Sequence, residues 1–161
     1  MKLIFKALLV LLATAPIAFA NPIPKGAVPL SPEELKAVYS DKTAVWSKAN
    51  QAYFAADGSV IGVSGDTYFS GKLEFKGDNE LCMAVQGTDS KKKTSDGKTY
   101  TDCWKWVKAK SKSGKEQLWT LYTKSYDDKK QDLVKGWGVS EVKKLKPGNL
   151  VATRYKTLKG E

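Results

Sequence analysis

From Thr43 onward, apolar and polar positions alternate in short runs rich in Val, Thr, Tyr, Phe and Trp. Period-two alternation marks strands with one buried face. The runs predict strands over 43–47, 51–56, 59–63, 67–76, 80–86, 99–109, 116–124, 137–145 and 150–156. Asp57-Gly58, Ser64-Gly65-Asp66, Gly77-Asp78-Asn79, Ser113-Gly114 and Pro147-Gly148 supply the turns. Evenly spaced short strands predict an antiparallel meander, closed or nearly closed into a lipocalin-like barrel. Gln86 to Lys98, carrying Lys91-Lys92-Lys93, reads as a polar hairpin loop, and Tyr126 to Gln131 as a second charged loop. The chain has no internal repeat.

Ahead of the strands the period changes. Ser31-Pro32-Glu33-Glu34 is a capping box: the Ser31 hydroxyl accepts from the Glu34 amide and the Glu34 carboxylate reaches back to the Ser31 amide. Pro32 sits at the first helical position, where its missing donor costs nothing. Leu30 and Leu35 occupy the hydrophobic-staple positions, and Leu35, Val38 and Tyr39 share a face. The helix ends near Ser40-Asp41 and is too short to stand alone. The fold class is therefore mainly β, with a short N-terminal helix ahead of the meander.

The first twenty residues have the pattern of a secretory signal peptide. Lys2 and Lys6 are positive, Leu3 to Leu12 is apolar but for Lys6, and Ala18-Phe19-Ala20 precedes a cut near Ala20-Asn21. The expected organisation is a signal peptide at 1–20, a Pro-rich tether at 21–29 and one β domain at 30–161. After cleavage, about 140 residues remain, enough for one domain with a hydrophobic core. No other apolar run is long enough to cross a bilayer. The formal charge of +10 falls to +8 once Lys2 and Lys6 leave with the signal. Arg154 is the sole arginine. Base-edge and phosphate readers favour the guanidinium fork, so the composition argues against nucleic acid and for a solvated exterior.

Cys82 and Cys103 are the only cysteines. An even count in an exported domain argues for a disulfide, here closing about 22 residues and contributing roughly 3 kcal/mol. Strand parity agrees. Leu81, Met83 and Val85 share one face of their run, and Trp104 and Trp106 share one face of theirs. If both sets face the core, both cysteines point outward on the same side, and Asp102 points inward beside Trp104.

The chain has no histidine, which removes the usual general base and metal ligand. With the cysteines bridged, no thiolate remains, so neither a metal nor a cofactor is expected. Paired carboxylates would suffice for glycan cleavage. Asp66, Glu74, Asp102 and Glu116 lie nearest apolar strand sequence, but only Asp102, beside two Trp and a Cys, stands out as a weak catalytic candidate. Trp46, Tyr53, Trp104, Trp106 and Trp119 are candidate ligand-binding residues, lining a cavity for a small apolar molecule or sugar. For most of these rings, filling the core is the favoured reading.

The stretches "LSPEELKAVYSDKTAVW" and "AYFAADGSV", followed by a Cys on a strand and a second Cys followed by aromatic and basic residues, resemble a known family. It comprises small exported proteins of alphaproteobacteria, rhizobia and their relatives, catalogued as a domain of unknown function. The resemblance covers about Leu30 to Lys124 and implies a periplasmic or secreted β protein with no assigned activity. The expectation is a monomeric, non-enzymatic binding or envelope protein. Its partner would be a small molecule, a glycan or an envelope protein. The alternatives are a carboxylate-dependent hydrolase of envelope glycan and a secreted host-directed factor.

Overall fold

The computed structural model describes residues 22–77, 79–126 and 136–161. The expected signal peptide at 1–20 and residues 127–131 of the second charged loop lie outside the described residues. Nine strands form one antiparallel, meander-like sheet among the described residues: β1 (Val28–Pro29), β2 (Lys42–Val45), β3 (Asn50–Phe54), β4 (Ser59–Ser64), β5 (Thr67–Lys76), β6 (Glu80–Asp89), β7 (Tyr100–Lys110), β8 (Glu116–Lys124) and β9 (Leu145–Pro147). Three helices accompany it: α1 (Pro32–Tyr39), α2 (Ser140–Lys144) and α3 (Ala152–Lys159). The strands run β9-β2-β3-β4-β5-β6-β7 by neighbour pairing, and β7 then pairs with both β8 and the short β1.

The sheet is curled into an open half-barrel, where a closed or nearly closed barrel was expected. The edges do not meet because α2 stands between them, in contact with β8, β2 and β9. A helix satisfies its own backbone and offers no ladder to either edge. Beyond β8, Thr120 bridges to Gly138.

Curling crowds the concave side, and two glycines permit it. At Gly62 a Cβ would overlap the Phe69 ring and lie 2.6 Å from the Gln51 carbonyl oxygen. At Gly71 a Cβ would overlap the Ala84 carbonyl and lie 2.7 Å from the Val85 Cα. Glycine in a strand interior commonly marks such a bend.

The concave side is filled. α1 lies in it, and both halves of its capping box form: Glu34 N to Ser31 Oγ at 3.2 Å, and Ser31 N to Glu34 Oε2 at 2.9 Å. Leu35 and Tyr39 are buried, and the Tyr39 ring stands edge-on to Phe54 at 4.8 Å and to Trp106 at 5.6 Å. Leu30, Ala44, Ala52, Val60, Leu81 and Met83 complete the core. Lys42 Nζ donates to the Val38 and Ala37 carbonyls at 2.8 and 3.0 Å, closing the helix C-terminus with a cation. The helix is not the first element: β1 precedes it, pairing Val28 with Lys108 and Pro29 with Val107 of β7.

The tail differs from the expected strands. Residues 137–145 hold α2 and only the first residue of β9, while 150–156 turn into α3, so the helix at a chain terminus is the C-terminal one. Val, Thr and Tyr gave 150–156 its strand-like composition. Yet Val151, Tyr155 and Leu158 recur at helical spacing, and Gly160, at φ +89, provides the left-handed cap. Arg154 anchors α3 by donating to the carbonyls of Lys48 at 2.9 Å and Gly65 at 2.7 Å. Tyr155 meets Tyr68 edge-on at 5.7 Å.

Gly71→Ala is expected to cost at least about 2–3 kcal/mol in urea denaturation, because its obstacle is backbone. Gly77→Ala, with nothing within 4 Å of the added Cβ, stays within about 0.5 kcal/mol of the parent.

Candidate functional site

Alternation decides which predicted residues share a face. Trp104 and Trp106 point into the concavity, where both are buried in the core beside α1. Trp106 Nε1 and the Tyr39 hydroxyl are buried without a hydrogen-bond partner. Burial, and then the nearby Glu141 carboxylate, push the Tyr39 hydroxyl well above the ordinary phenol range. Tyr53 alternates with the inward Ala52 and Phe54, so it lies on the convex face, where its hydroxyl donates to Asp41 Oδ1 at 2.8 Å. Trp119 pairs with Val107 and also lies on the convex face, its Nε1 buried without a hydrogen-bond partner. Trp46 stands at the open seam. The five aromatics therefore do not converge on one cavity.

At the seam, Trp46 Nε1 donates to Glu141 Oε1 at 2.7 Å, and Lys144 Nζ pairs with Glu141 Oε2 at 3.2 Å. Glu141 is only 6% exposed. This contact ties α2 to the end of β2 and spans the gap that the sheet leaves open. The sequence reading placed Glu141 in a strand. A sign of helix was available in the i,i+3 pair Glu141 and Lys144 flanking the apolar Val142.

Asp102 does point inward, opposite Met83, and is buried. Its Oδ1 accepts from the Tyr122 hydroxyl and from the Tyr126 amide, the latter at 2.8 Å. Burial first, and the Asp102 hydrogen bond second, push the Tyr122 hydroxyl up strongly. Tyr126 also stands edge-on to Tyr100, at 6.1 Å. Asp102 thus fastens the chain where β8 ends.

Two open grooves flank α1. One, of about 490 Å³, has a polar wall from Glu33, Lys36, Ser40 and Asp57. The other, of about 450 Å³, follows the seam. Its floor is apolar, from Val38, Leu118, Val142 and Leu145, and Glu34 and Lys108 pair at its rim. Chiefly through the Lys108 ammonium, and then through the Ser31 amide, the Glu34 carboxyl is held below its usual range. Lys42 and Glu116 also line this groove. Chemically it offers apolar surface with charge at one margin, the pattern of a small-ligand site. Its floor residues come from α1, β8, α2 and β9, and β2 and β7 add Lys42 and Lys108, so no local motif announced it.

On the convex face, Cys82 and Cys103 are bridged, as parity required. They stand directly opposite in the β6–β7 register with Cα atoms 4.1 Å apart. Glu80, half-buried on the same face, accepts from Thr123 Oγ1 at 2.5 Å. The Lys-rich loop is tied to the C-terminal helix, Lys93 Nζ donating to the Lys159 carbonyl at 3.3 Å, and Lys91 pairs with Asp66.

A family model described as "Protein of unknown function (DUF995)" matches residues 7–137. No curated protein and no solved structure matches the chain.

The Glu34 carboxyl, lowered on folding, contributes stability that is fully present above its unfolded value of roughly 4.3 and is lost as pH falls through its folded value. Glu34→Gln should therefore show a smaller loss of melting temperature between neutral and acid pH than the parent. The two should converge below the folded value.

Proposed function

Because this chain belongs to the DUF995 family of proteins of unknown function, its role has to be read from its own geometry. We propose that it is an exported, non-enzymatic binding protein that takes a small, mainly apolar ligand in the seam groove beside α1. The groove carries this reading. It lies where a barrel of this kind would close, and its floor is made of Val38, Leu118, Val142 and Leu145. The concavity itself is occupied by α1, Trp104 and Trp106, so the binding surface is the seam and not a hollow barrel.

Export is supported by the signal-like first twenty residues and by the Cys82–Cys103 bridge, which suits an oxidising periplasmic or extracellular space. The non-enzymatic reading is supported by the state of the carboxylates. A general acid needs a raised carboxyl. Glu34, the groove carboxylate carried by α1, is lowered by Lys108, and the buried Asp102 and Glu141 are each engaged by aromatic donors.

Two experiments test this. An apolar naphthalene-sulfonate dye should bind the folded protein, and Leu118→Trp, which fills the groove, should weaken binding at least about tenfold. Asp102→Asn should leave dye affinity unchanged. Dye binding indifferent to Leu118→Trp would refute the groove. New reducing ends released from peptidoglycan, and lost in a single carboxylate variant, would replace the reading with a hydrolase. Intact mass of protein recovered from the native host should correspond to a chain starting at Asn21, and a chain retaining Met1 would remove the export part.

A further inference from the structure

We infer that the convex face of β6 and β7 carries a redox-gated metal site, closed by the Cys82–Cys103 disulfide and opened by its reduction. It would take a divalent thiophilic cation such as zinc on Cys82, Cys103 and Glu80. The inference starts from register. Cys82 and Cys103 oppose each other directly, and Glu80 lies two residues before Cys82, on the same strand and face. One Glu80 carboxylate oxygen and the two Sγ atoms all lie within 4.8 Å of one another.

A tetrahedral zinc ion holds sulfur at about 2.3 Å and carboxylate oxygen at about 2.0–2.2 Å, which sets two thiolates about 3.8 Å apart. Two residues of one strand and a third directly across supply one face of that tetrahedron. In the bridge the two Sγ atoms are bonded, so reduction must let them part to reach that separation. The fourth position would be left to solvent or to an external ligand, reached past Glu80, the most accessible of the three.

The surroundings favour the liganding forms. Thr123 Oγ1 donates to Glu80 Oε1 and fixes the carboxylate, the kind of outer contact that orients metal ligands.

The chemistry balances with a dithiol reductant. The Sγ–Sγ bond of Cys82–Cys103 breaks as it takes up two electrons and two protons, and the reductant closes its own disulfide. Each thiol then loses its proton to solvent as its bond to the metal forms. When a disulfide oxidant takes the two electrons back and is itself reduced to a dithiol, the Sγ–Sγ bond re-forms, both sulfur ligands are lost and the ion is released.

The test is a titration of the mature full-length protein with cobalt(II), whose thiolate complexes absorb strongly in the near ultraviolet. Reduced protein should bind one equivalent with a thiolate-to-cobalt charge-transfer band. The bridged protein should bind none, and Cys82→Ser should lose the band. Glu80→Gln, which leaves the bridge intact before reduction, should weaken reduced-state binding at least about tenfold. A reduced protein that keeps its far-ultraviolet dichroism yet shows no band would overturn the proposal. So would a band of equal affinity in Glu80→Gln. If reduction unfolds the chain, cobalt must restore the β dichroism, and failure to do so also overturns it.

Discussion

The seating of Tyr39 between Phe54 and Trp106 is the contact on which the rest of the molecule depends. It places α1 inside the curl of the sheet, where a closed barrel would need space for its own side chains. Burying aromatics of this size contributes several kcal/mol in all, enough to dominate the marginal stability of a domain this small. The curl, the open seam and the grooves on either side of α1 follow from that placement. A half-barrel that wraps a helix has no need to close, because the helix supplies the missing wall.

The meander was legible because each strand is specified locally. β5 and β8 fall at the expected limits, and β2, β3, β4, β6 and β7 shift by three residues or fewer, while β1 lies in what was expected to be tether. The capping box of α1 was equally local and formed as written. What the sequence could not show was closure, since that depends on whether distant edges meet. In the tail, residue preference and spacing pointed in opposite directions. Val151 and Thr153 looked like strand, but the Val151, Tyr155 and Leu158 spacing and the Gly160 cap describe α3, and tertiary contacts from Arg154 settle the matter.

The candidate site was less legible for the same reason. Three distant parts of the chain, α1, β8 and the adjoining α2 and β9, contribute the apolar residues of the groove floor, and none of those residues is unusual in its own segment. The aromatics stood out in composition, yet abundance does not distinguish a ring that fills a core from one that lines a cavity. Parity did work where it was applied. It put Cys82 and Cys103 on one face and Asp102 on the other, and the geometry agrees with both.

The attachment of the C-terminal segment has a consequence for the order in which the molecule can be completed. β9 pairs with β2, the Thr43 hydroxyl donates to the Gly148 carbonyl at 2.6 Å and accepts from the Leu150 amide at 3.0 Å, and Arg154 satisfies carbonyls beside β3 and β4. These partners lie about a hundred residues apart along the chain. A polypeptide emerging from a ribosome or a translocation pore, N-terminus first, therefore carries its first hairpin unfinished until β9 and α3, about a hundred residues later, have also passed. Such late closure slows folding and keeps the nascent chain open for threading.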